Sequence, residues 1–205
     1  MKILCLGDSI TEGTGSSSPE TCYVSLLQKK TGFEVLNYGV GGTRIARQKK
    51  RTEPVRFDWD FLQRAEIMEK DADFVFVFGG TNDYGHGDAD FGEKDSRDPY
   101  TFCGAVNLLA DFLSATYGRE NLCFILPLRR LFENENGKSL ETYVNALRGI
   151  LAEKGITYLD FYRESPEKPE VSESEYFADG LHPNDKGHEW IADRLYNYLK
   201  QIGRA

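Results

Sequence analysis

Five short apolar runs, at residues 2–6, 33–37, 73–78, 121–126 and 156–160, alternate with longer stretches in which apolar positions recur at helical spacing. The helical stretches cover residues 19–30, 59–70, 100–117, 140–154 and 184–202. A strand regularly followed by a helix predicts a parallel sheet covered on both faces, because each crossover returns the chain to the same end of the sheet. Gly32, Gly118 and Gly155 fall just past three helical patterns, where a left-handed C-cap is favoured. In the last helix Ile191, Leu195, Tyr198 and Ile202 follow the spacing i, i+4, i+7, i+11 and predict a stripe that packs on the sheet. Three polar loops, residues 84–99, 129–138 and 163–174, each follow a strand and so are expected at the carboxyl edge, where open α/β sheets bind ligands.

No internal repeat, low-complexity tract or linker interrupts the 205 residues, and one domain over 1–205 is expected. A chain of this length buries roughly 70% of its unfolded surface and needs no disulfide or metal staple. The longest apolar runs are five residues, against roughly 20 for a membrane-spanning helix. Ile3 to Leu6 is followed at once by Gly7 and Asp8, too short a core for a signal peptide, so a cytoplasmic location is expected. Cys5, Cys22, Cys103 and Cys123 show no CxxC spacing and are expected as reduced, mostly buried thiols. With 25 Lys+Arg against 33 Asp+Glu, the net charge of −8 argues against nucleic acid or a membrane surface as partner.

The first strand ends in Gly7-Asp8-Ser9-Ile10-Thr11. A serine directly after a buried strand, beside a turn-permitting glycine, stands where a nucleophile would be presented, although a capping or turn serine has the same local signature. The segment is not the Gly-x-Ser-x-Gly elbow, because position 11 is threonine. A serine nucleophile needs a base, and the base an orienting partner. Of the three histidines, His182 lies in Asp179-Gly180-Leu181-His182-Pro183, whose spacing can bring the Asp179 carboxylate to the ring. His188 falls on the apolar stripe of the last helix and reads as a satisfied core residue. His86, among glycines and aspartates, reads as a solvated loop residue. Donors for an oxyanion are available after the second and third strands: Gly42 in Asn37-Tyr38-Gly39-Val40-Gly41-Gly42-Thr43, and Asn82 in Gly79-Gly80-Thr81-Asn82-Asp83. Each is an ordinary turn sequence alone, but all are expected at one edge of one sheet.

These four blocks, in this order over the whole chain, resemble the SGNH hydrolases, the GDSL-type esterase/lipase family, with Ile10 where the family's nickname motif has leucine. The resemblance implies a three-layer α/β/α sandwich with a five-stranded, flavodoxin-like parallel sheet. It also implies hydrolysis of small-molecule O-acyl esters or thioesters with no metal and no cofactor. By position it implies Ser9 as nucleophile, His182 as base and Asp179 as its orienter. The implied oxyanion hole comprises the Ser9 and Gly42 N–H groups and the Asn82 amide.

Several readings compete. The Gly/Ser-rich residues 11–18 resemble a flavodoxin phosphate loop, so a flavin-binding protein is the alternative from another class. Neither glycine cluster reads Gly-x-Gly-x-x-Gly, which weakens a dinucleotide enzyme. His86, Asp88 and His182 are a metallohydrolase alternative without a known zinc spacing. Within the family, a long-chain lipase or thioesterase is the alternative to a short-chain esterase. The polar loop after Asn82 favours short acyl groups on a hydroxyl-rich leaving group such as a carbohydrate, with Tyr84 and Phe91 expected as stacking faces.

Overall fold

The structure, a computed structural model, describes residues 1–133 and 137–205. Residues 134–136, part of the polar loop at 129–138, lie outside the described residues. Five strands, β1 (Lys2–Gly7), β2 (Glu34–Gly39), β3 (Phe74–Phe78), β4 (Leu122–Ile125) and β5 (Thr157–Leu159), pair in parallel in the order β2-β1-β3-β4-β5. They agree with the five apolar runs to within two residues at each end. The central strands are legible because both faces are buried, so they read as continuous apolar runs rather than alternations.

The helices are α1 (Ser9–Glu12), α2 (Tyr23–Thr31), α3 (Phe61–Ile67), α4 (Thr81–His86), α5 (Phe102–Tyr117), α6 (Leu140–Glu153), α7 (Phe161–Glu164) and α8 (Asp185–Gln201). Side chains alternate across the sheet. Leu4, Leu6, Val75, Val77 and Phe124 face one core with residues of α3, α5 and α6, while Ile3, Cys5, Phe74, Phe76 and Ile125 face another with α2 and α8. The result is the three-layer α/β/α sandwich, and the sheet order is flavodoxin-like.

The starts of the long helices follow their caps. Asp60, Thr101, Ser139 and Asn184 each accept a backbone N–H of the first turn with the side chain, which moves several starts inward from the periodic pattern. Gly32 and Gly155 take positive φ of 69° and 63°, as expected of C-caps. Gly118 has φ 82° but ψ 133°, so it ends α5 without the left-handed helical conformation. The stripe of α8 also needs correction. Gly187, His188, Ile191, Ala192, Leu195 and Leu199 are its buried positions, Tyr198 packs tilted on the Phe74 ring and edgewise on that of Phe76, and Ile202 is 39% exposed past the helix end. All four cysteines are free and buried. No helix among the described residues is long and apolar enough to cross a membrane.

The chain leaves β1 toward β2 and leaves β3 in the opposite direction, so β1 and β3 flank the topological switch point. A crevice opens there at the carboxyl edge, because the two connections diverge. Ser9 follows β1 and Asn82 follows β3.

Candidate active site

The turn after β1 is built around Asp8. Its buried carboxylate accepts the Ile10 N–H at 3.1 Å and caps α1, placing Ser9 in the first turn with its side chain at the crevice. Burial pushes the Asp8 carboxyl up to about 6, against the opposing Ile10 hydrogen bond. Across the crevice, Asp179 folds its own segment back. Oδ1 accepts the N–H groups of Leu181 (3.0 Å) and His182 (2.7 Å), and Oδ2 accepts His182 Nδ1–H at 2.7 Å. That fixes the tautomer: Nε2 is left as the acceptor, and Ser9 Oγ donates to it at 2.9 Å. Burial acts to raise the Asp179 carboxyl, but the backbone and ring N–H groups of His182 outweigh it and hold the group below the usual carboxylate range. Its side chain is 53% exposed, so hydrogen bonds rather than enclosure fix it.

The His182 segment is clamped from two sides. Gly15 has φ +93°, and a Cβ there would lie 2.2 Å from Pro183 O and 3.1 Å from His182 Cβ, so the approach demands glycine. Ser17 donates its N–H (2.7 Å) and Oγ–H (2.6 Å) to Asp185, and Ser16 Oγ donates to Gly13 O at 2.6 Å. Ser17 is therefore committed to the α8 entry and Ser16 to its own turn, which counts against a phosphate loop here. Leu131 packs beneath Gly180 and takes its carbonyl through a backbone N–H at 2.8 Å.

The two oxyanion candidates meet at Ser9. Asn82 donates Nδ2–H to Thr43 O at 3.0 Å and lines the same pocket as Ser9, Gly41 and Gly42. The Gly42 N–H has no partner among the described residues, and Gly42 has φ +76° with the Phe57 ring where a Cβ would lie. The Gly41 N–H, by contrast, is held by Glu12 Oε2 at 2.9 Å.

Two buried charges, invisible to sequence reasoning, lock this frame. Asp83 accepts Ile45 N–H (3.0 Å) and Ala46 N–H (2.8 Å), tying the loop after β2 to α4, and burial pushes its carboxyl up to about 6. Arg64 of α3 donates to Gly7 O (2.9 Å), Tyr38 O (2.7 Å) and the Thr43 hydroxyl (2.9 Å), joining the ends of β1 and β2 to the loop after β2. Burial lowers its pKa to about 10, so it remains a cation at neutral pH. Only an amphipathic helix was legible there, since the partners of Arg64 are backbone oxygens 26 and 57 residues away.

The pocket holds about 300 Å³ and is lined by Ser9, Glu12, Thr14, Gly41, Gly42, Arg56, Phe57, Asn82, His86, Leu181 and His182. Glu12, Arg56 and Phe57 had no sequence signal as site residues. Of the three polar loops, only the first contributes to this lining among the described residues, through His86. Tyr84 and Phe91 do not line it, which corrects their expected stacking role. Tyr84 is 3% exposed against Tyr143, and Phe91 packs on Phe102 and Tyr143, because apolar side chains in a polar loop anchor it to the core. His86 is exposed, as expected, but it does not lie in the loop: it ends α4 and hydrogen-bonds Asn82. Asp88 accepts the N–H groups of Lys49 and Lys50, so His86, Asp88 and His182 do not converge. Among the described residues no three His, Cys, Asp or Glu side chains are grouped to hold a metal.

His188 is fully buried, as its place on the stripe implies. Its Nδ1 accepts Tyr23 N–H at 3.3 Å, and Nε2–H donates to Thr14 O at 3.3 Å. Burial lowers its pKa from 6.5 to about 4. The folded state therefore resists a proton that the unfolded state accepts, and this residue makes stability fall as pH drops through 6.5 toward 4. His188→Gln keeps an acceptor and a donor but does not titrate. Wild type is expected to lose about 2 kcal/mol more than this variant between pH 7 and pH 5, read from urea unfolding. Identical pH dependence in the two proteins would contradict it.

Comparison with known proteins agrees with this architecture. The GDSL-like Lipase/Acylhydrolase family model matches residues 5–190. No curated protein sequence matches the chain significantly. A crystal structure of a Lactobacillus plantarum protein is 27% identical, with TM-score 0.83, covering 98% of this chain and 96% of that one. The acetyl xylan esterase AlAXEase is 19% identical with TM-score 0.70, covering 97% and 100%. A member of the lipolytic G-D-S-L family from Veillonella parvula is 20% identical with TM-score 0.70, covering 98% of each chain. The last two likenesses bear on the fold alone. The family match spans every block from the turn after β1 to the Asp179–His182 segment, and the chain accordingly belongs to the GDSL-like lipase/acylhydrolase family of carboxylic ester hydrolases.

Proposed function

We propose that the chain hydrolyses short-chain O-acyl esters through a covalent acyl-enzyme on Ser9. The observation that carries this reading is the unbroken relay from Ser9 Oγ to His182 Nε2 (2.9 Å) and from His182 Nδ1 to Asp179 Oδ2 (2.7 Å) at the mouth of a pocket. Ser9 Oγ bonds to the acyl carbon as its proton passes to His182 Nε2, and the carbonyl oxygen becomes an oxyanion facing the Ser9 and Gly42 N–H groups and the free Nδ2–H of Asn82. Collapse breaks the bond to the leaving oxygen, which takes the proton from His182. Water then repeats the sequence on the acyl-enzyme and releases the acid. The carboxylate of Asp179 holds the imidazole and stabilises its cationic form without itself accepting the proton. A fluorophosphonate probe is expected to add once per chain to wild type and not to Ser9→Ala. Labelling that survives in the variant contradicts the assignment.

The pocket supports short acyl groups. Its volume is at the low end for ligand sites and must hold both the acyl and the leaving group, while the Phe57 ring closes one side over Gly42. The rim carries Glu12, Thr14 and Arg56, which suits a hydroxyl-rich leaving group such as an acetylated carbohydrate, with Phe57 as the apolar face in place of Tyr84 and Phe91. Across p-nitrophenyl esters of two to sixteen carbons, kcat/KM is expected to peak at two to four carbons and to fall at least tenfold by eight. A maximum at eight carbons or beyond would point to a long-chain lipase instead.

A further inference from the structure

His86 stands four residues after Asn82 on α4, so the two side chains share one helix face. Its Nε2 lies 3.1 Å from Asn82 Oδ1, while Asn82 Nδ2 donates to Thr43 O at 3.0 Å. The Thr43 carbonyl can only accept, which puts the amide nitrogen on that side and the oxygen toward His86. The ring must then carry its proton on Nε2 and donate it. We propose that His86 is a positioning residue for the oxyanion hole: its Nε2–H pins Asn82 Oδ1, so the second Nδ2–H is the atom presented to the reacting carbonyl oxygen.

The inference rests on the reading of Asn82 as an oxyanion donor. Without the His86 donor only the Thr43 carbonyl holds the amide, through one Nδ2–H, and the group can swing about that single bond, so the second Nδ2–H loses its aim at the developing negative charge. Asn82 is buried at 4% exposure, so a phenyl ring in the place of His86 leaves the lost partner of its Oδ1 unreplaced. His86 is itself held from behind. Its carbonyl accepts Arg44 Nη2–H at 3.1 Å, and its ring lies 6.2 Å from that of Phe57. The packing around the ring, followed by the Arg44 and Arg130 guanidinium groups, lowers its pKa to about 4, although the residue keeps exposed surface at the pocket. Exposure weakens the first cause and leaves the two cations, so the ring stays neutral and its Nδ1 unprotonated where a second positive charge would be repelled.

The test is a cycle of His86→Phe, His86→Gln, Asn82→Ala and the double variant His86→Phe/Asn82→Ala, assayed on p-nitrophenyl acetate with thermal unfolding alongside. Phenylalanine fills the place of the ring but donates nothing, whereas glutamine retains an N–H donor at the same helical position. His86→Phe is expected to lower kcat roughly tenfold with KM within about twofold. His86→Gln should keep at least about one third of wild-type kcat. In the Asn82→Ala background the Phe substitution should cost less than about twofold, since the donor it positions is gone. Wild-type kcat in His86→Phe, a glutamine variant as impaired as the phenylalanine one, or an equal loss in the Asn82→Ala background would each overturn the positioning role. Wild-type kcat in Asn82→Ala would overturn the oxyanion reading and the inference with it, which separates the two failures.

Discussion

His182→Ala is expected to lower kcat by about five to six orders of magnitude, Ser9→Ala by a similar factor, and the double variant by no more than either alone. The non-additivity follows from the relay: with Ser9 Oγ donating to Nε2 at 2.9 Å, neither group does useful work without the other. Asp179→Asn is expected to lose about 10⁴-fold for a different reason. Asparagine can keep the two backbone N–H bonds on its Oδ1, but it turns an amide N–H toward His182 Nδ1, and the ring then takes the tautomer whose Nε2 cannot accept from Ser9. Steady-state kinetics on p-nitrophenyl acetate, with thermal unfolding as the control for folding, decides the matter. An active His182→Ala beside an inactive His188→Ala would make His188 the base instead, although both of its ring nitrogens already have partners.

Why the fold and the catalytic candidates were legible, and their support was not, comes down to the range over which each signal acts. Ile3 to Leu6 and Phe74 to Phe78 announce strands because burial on both faces leaves no polar position within them. Ser9 and Asn82 follow strand ends and His182 precedes α8, each within a short block whose residue types and spacing carry the message. The single-turn helices α1, α4 and α7 leave no periodicity, since four to six residues do not complete a repeat that a pattern can register. That one gap cost the correct placement of two residues. With α4 recognised, Asn82 and His86 would have stood four apart on one face, and Tyr84 would have turned elsewhere, into the core.

The charged supports are harder to see. Asp83 and Arg64 bond to backbone groups, whose chemistry is the same at every residue, so the sequence carries no complementary partner to match them with. The same blindness explains the misread rim. A loop rich in glycine and aspartate looks solvated, yet Asp88 accepts two backbone N–H groups, and Phe91 and Ala89 pack on the core. Polarity in such a loop reports the bonds that fold it as much as the water around it.

Those supports set the size of the second large effect, at Asn82. An oxyanion donor is useful in proportion to how little it must reorganise when charge appears. Here Thr43 O fixes one Nδ2–H of Asn82, Arg64 holds the Thr43 hydroxyl, and Asp83 holds the N–H groups of Ile45 and Ala46, so the loop bearing Gly42 and the helix bearing Asn82 form one frame. Asn82→Ala removes a donor from a buried position on the pocket wall. The expected loss is roughly 10²- to 10³-fold in kcat, about 3 to 4 kcal/mol, with KM within about threefold, because the charge being stabilised exists mainly in the transition state. Asn82→Asp has nearly the same shape and should be worse than alanine, since it places an acceptor and a negative charge where the oxyanion develops and faces the Thr43 carbonyl with another oxygen. The ordering wild type, alanine, aspartate in kcat, measured on p-nitrophenyl acetate at a pH where the aspartate is ionised, is the signature of electrostatic stabilisation. An aspartate variant more active than the alanine one, or an alanine variant altered in KM alone, would make Asn82 a ground-state contact and leave the oxyanion to the backbone N–H groups of Ser9 and Gly42.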